Sequence, residues 1–126
     1  MTHVLIVDDS KLMRAMVAVC LRPLGEVEFV FAGTGLEAIE QLALAGFDLV
    51  VLDLDMPELG GLEVTEFVRT QDRLRGLPIL IVTSRGDAES RARLMAAGAS
   101  SFLEKPFAPQ QILQQARQLL RSEAAA

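Results

Sequence analysis

Asp8 and Asp9 follow the apolar run Val4-Leu5-Ile6-Val7. Asp53 and Asp55 follow Leu49-Val50-Val51-Leu52, Thr83 and Ser84 follow or close Ile79-Leu80-Ile81-Val82, and Lys105 comes two residues after Leu103. Brought together, such groups suit one chemistry. Clustered carboxylates repel and push up one another's pKa values unless something neutralises them. A hard divalent cation does so, and Mg²⁺ takes oxygen ligands, often one or two carboxylates with water and phosphate oxygens. A metal, an ammonium and a hydroxyl around one point stabilise the charge of a phosphoryl group. An Asp can itself be the nucleophile and become an aspartyl phosphate. Singly, each residue has a plainer role. Asp8 and Asp9 can be turn or helix-capping acids, Asp53 a turn acid ahead of Pro57, Thr83 and Ser84 loop hydroxyls, and Lys105 a solvated lysine. The chemical reading therefore depends on whether the chain brings four strand ends to one place.

The pattern of elements says that it does. Five short runs rich in β-branched or aromatic residues lie at 3–7, 27–31, 48–52, 78–82 and 100–103. Each precedes a stretch with helical periodicity, which predicts βαβ units and a parallel sheet. Ser10 is placed to cap a first helix whose inner face is Met13, Met16, Val17, Cys20 and Leu21. Thr34 with Glu37 predicts a capping box for the second, which Gly46 would close. Val64, Phe67 and Val68 give the third its inner face. The fourth is expected from Asp87 to Gly98 with a weak stripe of Ala88, Ala92 and Met95. The fifth follows Pro109 on Ile112, Leu113, Ala116, Leu119 and Leu120, and residues 122–126 are expected to fray. Five such units predict an α/β fold with a doubly wound five-stranded parallel sheet, (βα)5. Ligands bind such sheets at the carboxyl ends of the strands, at the switch point.

Composition bounds the rest. The 126 residues suit a single domain over 1–126, and 51% hydrophobic residues exclude disorder. A net charge of −5 argues against unaided binding of nucleic acid or of an anionic membrane. Cys20 is the sole cysteine, so an intrachain disulfide and a cysteine metal cage are excluded. The N-terminal apolar run is too short for a signal peptide, and no window reaches the ~20 apolar residues of a membrane span. A cytoplasmic protein is expected.

Four motifs then point to a family. Val7-Asp8-Asp9-Ser10, Asp53-Leu54-Asp55-Met56-Pro57 with Gly61, Val82-Thr83-Ser84, and Lys105-Pro106-Phe107 occur in that order. The chain resembles the receiver domain of two-component response regulators, of the stand-alone chemotaxis-regulator type, over about residues 3 to 121. The resemblance implies a flavodoxin-like fold with strand order 2-1-3-4-5. It implies that Asp53 is the phosphoacceptor and that Mg²⁺ is the cofactor. Asp9 and Asp53 would be side-chain ligands, Asp8 would assist through water, and Asp55 would contribute its backbone carbonyl. Thr83 would follow the phosphoryl group with its hydroxyl, Lys105 would pair with it, and the Lys105-Pro106 bond would be cis. Phe102 stands at the switch aromatic position, where many relatives have Tyr. The donor would be a phosphohistidine on a sensor histidine kinase or histidine phosphotransfer protein, and His3 is no candidate. The resemblance also implies that Asp55 and Arg85 would tune the rate of dephosphorylation. The protein would be a phosphorylation-activated switch rather than an enzyme acting on a separate substrate. Its output would run through the face of the fourth helix, fifth strand and fifth helix, with Arg91, Arg93, Gln114, Gln115, Arg117, Gln118 and Arg121 exposed. A phosphorylation-dependent homodimer is left open.

Three rivals come from other classes. In a haloacid-dehalogenase-like phosphatase, Asp53 and Asp55 would be nucleophile and acid–base pair. That family, however, places its last acids after its lysine, and Pro57 departs from its motif. Gly33-x-Gly35-x-x-Ala38, with Asp53 twenty positions after Gly33, matches a dinucleotide-binding fingerprint. It leaves Asp8, Asp9, Thr83 and Lys105 without a role. A pseudo-receiver would keep the fold as a pure interaction module without phosphorylation.

Overall fold

Leu49–Leu52 contains no polar side chain, and in the computed structural model all four residues are buried in the central strand, β3. The structure describes residues 1–125, with side chains through Arg121. The other strands are β1 (Thr2–Val7), β2 (Val27–Ala32), β4 (Ile79–Thr83) and β5 (Ser101–Glu104). All pairings are parallel, and the order is β2-β1-β3-β4-β5. This is the flavodoxin-like arrangement expected from the motifs.

The two-residue period of a strand sends alternate side chains to opposite faces. Leu5, Val7, Val50, Leu52, Ile79 and Ile81 enter one core layer. Val4, Ile6, Leu49, Val51, Leu80 and Val82 enter the other. Helices α2 (Gly35–Leu44), α3 (Gly61–Thr70) and α4 (Ala88–Ala97) cover the first layer. Helices α1 (Lys11–Leu21) and α5 (Pro109–Ala125) cover the second. Buried β-branched and leucyl side chains each contribute about 1.5–3 kcal/mol, so the layers fix the strand ends that carry the polar residues.

Most helix ends follow their side chains. Ser10 Oγ accepts from Met13 N at 3.1 Å, and Asp87 Oδ2 accepts from Ser90 N at 2.9 Å. Gly98 ends α4 with φ 116°, a left-handed conformation that favours glycine. Only half of the predicted capping box forms on α2. Thr34 Oγ1 accepts from Glu37 N at 3.0 Å, but Glu37 reaches back to Gly33 N, not to Thr34. Nor does Gly46 close α2, which ends at Leu44 with Ala45 as its cap in extended conformation.

Two predicted core faces need correction. On α1 Val17 and Leu21 of the predicted face are buried and Met13 and Cys20 pack partly against the core, but Met16 is 48% exposed and Ala18 is buried in addition. On α4 the stripe Ala88, Ala92 and Met95 faces solvent, and Leu94 is the buried residue. Period alone cannot say which of two weakly apolar faces is covered, and on α4 the bulkier Leu94 takes the core. The fifth stripe behaves as expected, with Ile112 and Ala116 buried and Leu113, Leu119 and Leu120 partly so. The expected fraying over 122–126 falls beyond the described side chains.

Glu58 has φ 67° in the loop after β3. A non-glycine residue with a long side chain costs about 1–2 kcal/mol there, whereas Asn tolerates this region. Glu58→Asn is expected to raise stability by about 0.5–1 kcal/mol, read as a higher urea midpoint with unchanged slope. An unchanged or lower midpoint would show that the loop is not strained at this residue.

Candidate phosphoryl and metal site

Register brings the polar residues together. Val7 pairs with Leu52, so the next residues, Asp8 and Asp53, leave the sheet side by side. Asp53 N donates to Val7 O at 3.0 Å, and Asp8 N to Ala32 O at 3.1 Å. On the other side, Thr83 pairs with Glu104, and Lys105 N donates to Thr83 O at 2.7 Å. Four strand ends thus meet at one rim beside the β1–β3 switch point, where connections leave to opposite faces.

Carboxylate oxygens of Asp8, Asp9 and Asp53 all lie within 4.8 Å of one another. Asp8 and Asp53 are buried, and Asp9 is exposed. Lys105 Nζ lies 2.8 Å from Asp8 Oδ2 and 3.8 Å from Asp53 Oδ1. The other Asp8 oxygen, Oδ1, accepts from Ser10 N at 2.9 Å. Both oxygens of Asp8 are therefore engaged by the protein, while Asp9 makes no hydrogen bond or ion pair among the described residues. The Lys105-Pro106 peptide bond is cis.

One ammonium among three carboxylates leaves the cluster short of positive charge. Burial pushes the Asp53 carboxyl up from 3.8 to about 6. The Lys105 ammonium opposes this most strongly, Asp8 adds to it, the Asp55 backbone N–H opposes it, and Asp9 adds a little. A buried carboxyl held partly protonated by burial and like charge is a group whose ionised form a cation would stabilise. Two oxygen-bearing neighbours, one exposed, are the donor set that a hard, partly hydrated ion prefers. The residues fit Mg²⁺.

The rest of the rim is tied by short contacts. Thr83 is fully buried, and its Oγ1 accepts from Arg85 N at 3.2 Å. Arg85 Nη2 lies 3.1 Å from Asp55 Oδ1, joining the loops after β3 and β4. Ser84 is exposed beside it. Phe102 lies inward, 7% exposed, with the Arg91 guanidinium 5.3 Å from its ring centroid. Gly61 explains its place in the second motif, because a Cβ there would lie 2.6 Å from the Asp53 carbonyl oxygen. Sequence reasoning missed Arg14, whose Nη1 donates to Asp8 O at 2.7 Å and steadies the turn that carries both acids. Nothing in the pattern separates it from an ordinary solvated helix arginine. Gln115 is half-buried and hydrogen-bonded by Ser101 Oγ rather than free.

The motif residues and their neighbours also match known proteins. The family model for the response regulator receiver domain covers residues 4–117. This chain belongs to the response regulator receiver domain family. Its relatives include chemotaxis protein CheY1 of Helicobacter pylori, 36% identical over 107 residues, which are 84% of this chain and 86% of that protein. Chemotaxis protein CheY of Pseudomonas aeruginosa is 35% identical over 107 residues, covering 85% and 86%. The crystal structure of Vibrio cholerae CheY4 superimposes with a TM-score of 0.87 at 35% identity over 94% of this chain and 98% of that one. A receiver domain is a signalling module of two-component systems and not a conventional enzyme.

The receiver architecture disposes of one rival on packing grounds. A Cβ on Gly35 would lie within 3.0 Å of Leu59, so that glycine serves a tight contact with the loop after β3. At the start of α2 Glu37 N is taken by Thr34 Oγ1, and the Glu37 carboxylate sits on Gly33 N just before the helix, where its charge opposes a phosphate. The dinucleotide reading is therefore withdrawn, and the family assignment leaves the dehalogenase-like reading without support. Among the described residues no helix is long and apolar enough to cross a membrane.

Proposed function

We propose that residues 1–126 form one receiver domain that takes a phosphoryl group onto Asp53 from a phosphohistidine, with Mg²⁺ as cofactor, in the cytoplasm. The donor is a sensor histidine kinase or histidine phosphotransfer protein, and the output is a change in the protein-binding face formed by α4, β5 and α5. The observation that carries this reading is the Asp53 carboxylate, buried against Lys105 and crowded by Asp8 and Asp9.

Residue roles follow from who is already engaged. Asp8 spends its oxygens on Ser10 and Lys105, so it acts on the metal through water, while Asp9 and Asp53 are left for direct ligation. Asp55 would add its backbone carbonyl. When bound, Mg²⁺ would offset the charge of the incoming phosphoryl oxygens. Asp53 attacks phosphorus with a carboxylate oxygen as the P–N bond to the donor histidine breaks, and the imidazole departs to recover its proton. Lys105 then exchanges its contact with Asp53 for a phosphoryl oxygen. Thr83 turns its hydroxyl from Arg85 N toward the same group. Phe102 can follow into space that Thr83 vacates, which alters the surface near α4. The protein assists its own phosphotransfer and dephosphorylation and turns over no other substrate.

The test is incubation with a small acyl phosphate and Mg²⁺, followed by intact mass. A phosphoryl adduct that requires Mg²⁺ is expected. Its absence under conditions that label a known receiver would favour the pseudo-receiver reading.

Phosphate capture and transmission are separable at Thr83. A ligand shifts two states only by its differential interaction with them, and Thr83 is the proposed differential contact. Thr83→Ala should keep labelling within about threefold of the parent while losing more than about half of the response to beryllofluoride, a stand-in for the phosphoryl group. Amide NMR shifts over residues 85–104 report that response. A full response in the variant would exclude the route through Thr83 and Phe102.

A further inference from the structure

The sheet has two open edges, and they differ in kind. β5 is four residues long and carries Ser101 and Glu104. β2 runs for six residues, Val-Glu-Phe-Val-Phe-Ala, with Glu28 as its single charge. Edge strands are usually kept from pairing by shortness, lysine, proline or a bulge. β2 has no lysine or proline, and its register with β1 is unbroken from Val27 to Ala32.

Hydrogen bonds to β1 use every second residue of β2. Thr2 N donates to Glu26 O at 3.0 Å and Asp8 N to Ala32 O at 3.1 Å, so the even-numbered residues face β1. The N–H and C=O groups of Val27, Phe29 and Phe31 therefore point away from the sheet, and no group among the described residues bonds them. Side chains of the same three residues lie on the α1 side. Val27 and Phe29 are half-buried in the second core layer, whereas Phe31 is 46% exposed. Phe31 lines a shallow cleft with Lys11, Arg14 and Ala15 of α1. An unpaired edge of this length with an exposed ring beside it is a template for another strand.

We propose that a second copy of this chain supplies that strand, with β2 pairing antiparallel to its counterpart across a two-fold axis at Phe29. The register follows from what would face what. With the axis at Phe29, Val27 meets the partner's Phe31, Phe29 meets the partner's Phe29, and Glu28 meets the partner's Val30. All three outward residues are then used, in roughly six ladder hydrogen bonds. With the axis at Glu28, that carboxylate would directly face the partner's Glu28, which like charge opposes. With the axis at Val30, Val27 would meet the partner's Gly33, beyond the end of the strand. The best-bonded register is thus self-complementary. It sets aromatic against aromatic and valine against aromatic, with no acid directly opposite an acid, which favours a second copy over an unrelated strand. Strand pairing alone falls short of the about 800 Å² that each partner buries in a stable complex, so monomer and dimer should exchange.

Antiparallel pairing sends the two phosphoryl rims to opposite ends of the shared sheet, and β5 lies at the edge far from the axis. Association at β2 therefore leaves both rims open and does not depend on the phosphoacceptor reading. The experiment is sedimentation velocity of the full chain from about 5 to 500 µM, with and without beryllofluoride and Mg²⁺. A monomer–dimer equilibrium is expected, its dissociation constant changing less than about twofold with beryllofluoride. Phe31→Lys should weaken it at least about tenfold. Met95→Gln, at a position 43% exposed on α4, should change it less than about twofold. Circular dichroism confirms that both variants are folded. Amide hydrogen exchange reads the register. Val27, Phe29 and Phe31 should exchange at least about fivefold more slowly in concentrated than in dilute protein, while Glu28 and Val30, already bonded to β1, should not change. A monomer at every concentration, a dimer formed only with beryllofluoride, equal weakening by the two substitutions, or slowed exchange confined to other residues would overturn the proposal. Labelling of Asp53 is measured separately, so failure at either place is distinguishable from failure at the other.

Discussion

Asp53→Asn is expected to lose the phosphoryl adduct altogether, by at least about a hundredfold in labelling rate, because an amide oxygen is a poor nucleophile for phosphorus. The same variant carries a second expectation of opposite sign, in stability. The folded-state pKa of Asp53 is about 6 against 3.8 for the free carboxyl, with burial as the main cause. Between those values the folded state keeps a proton that the unfolded state has released. Stability from this group therefore falls as pH rises through that window, and the full cost is present above about pH 6. The neutral amide removes that cost. Without metal, Asp53→Asn should be more stable than the parent by about 1–3 kcal/mol at pH 7.5 and equal to it near pH 3.5. Urea unfolding at both pH values measures the difference. Residual full labelling would remove Asp53 from the acceptor role, and an equal stability gap at both pH values would remove the buried-carboxylate argument.

Asp9→Ala should lower Mg²⁺ affinity at least about tenfold, and labelling by a small phosphodonor with it. Asp9 is the exposed member of the three-carboxylate cluster and makes no other contact among the described residues. Its removal therefore costs no packing and relieves repulsion on Asp8 and Asp53. The metal-free midpoint of thermal unfolding should hold or rise by about 1–4 °C, in contrast to the loss expected for a residue that supports the fold. Protons compete with metal for the same oxygens, so Mg²⁺ affinity of the parent should also weaken as pH falls below about 6. Titration calorimetry at pH 7.5 and 5.5 measures both effects. Unchanged affinity in Asp9→Ala would mean that the cluster does not hold the ion.

Much of this protein is readable from residue type and spacing. Strand residues alternate between two faces with period two, and five βα units predict a doubly wound parallel sheet, whereas the strand order is implied by the resemblance of the four motifs to a family. The site residues are legible for a related reason. A parallel sheet puts every strand's carboxyl end on one edge, so Asp8, Asp53, Thr83 and Lys105 become neighbours once each is known to follow a strand. Tertiary structure decided what depends on distance and competition. Asp8 and Asp9 are adjacent and chemically alike, yet packing buries one against Lys105 and Ser10 and leaves the other open to solvent. Helical period marked Ala88, Ala92 and Met95 as a stripe, but only docking of α4 through Leu94 determined that the stripe faces outward. Arg14 and Arg91 look alike in the sequence. One clamps the Asp8 carbonyl and the other lies over Phe102, because long side chains take their partners from whatever the fold brings within reach.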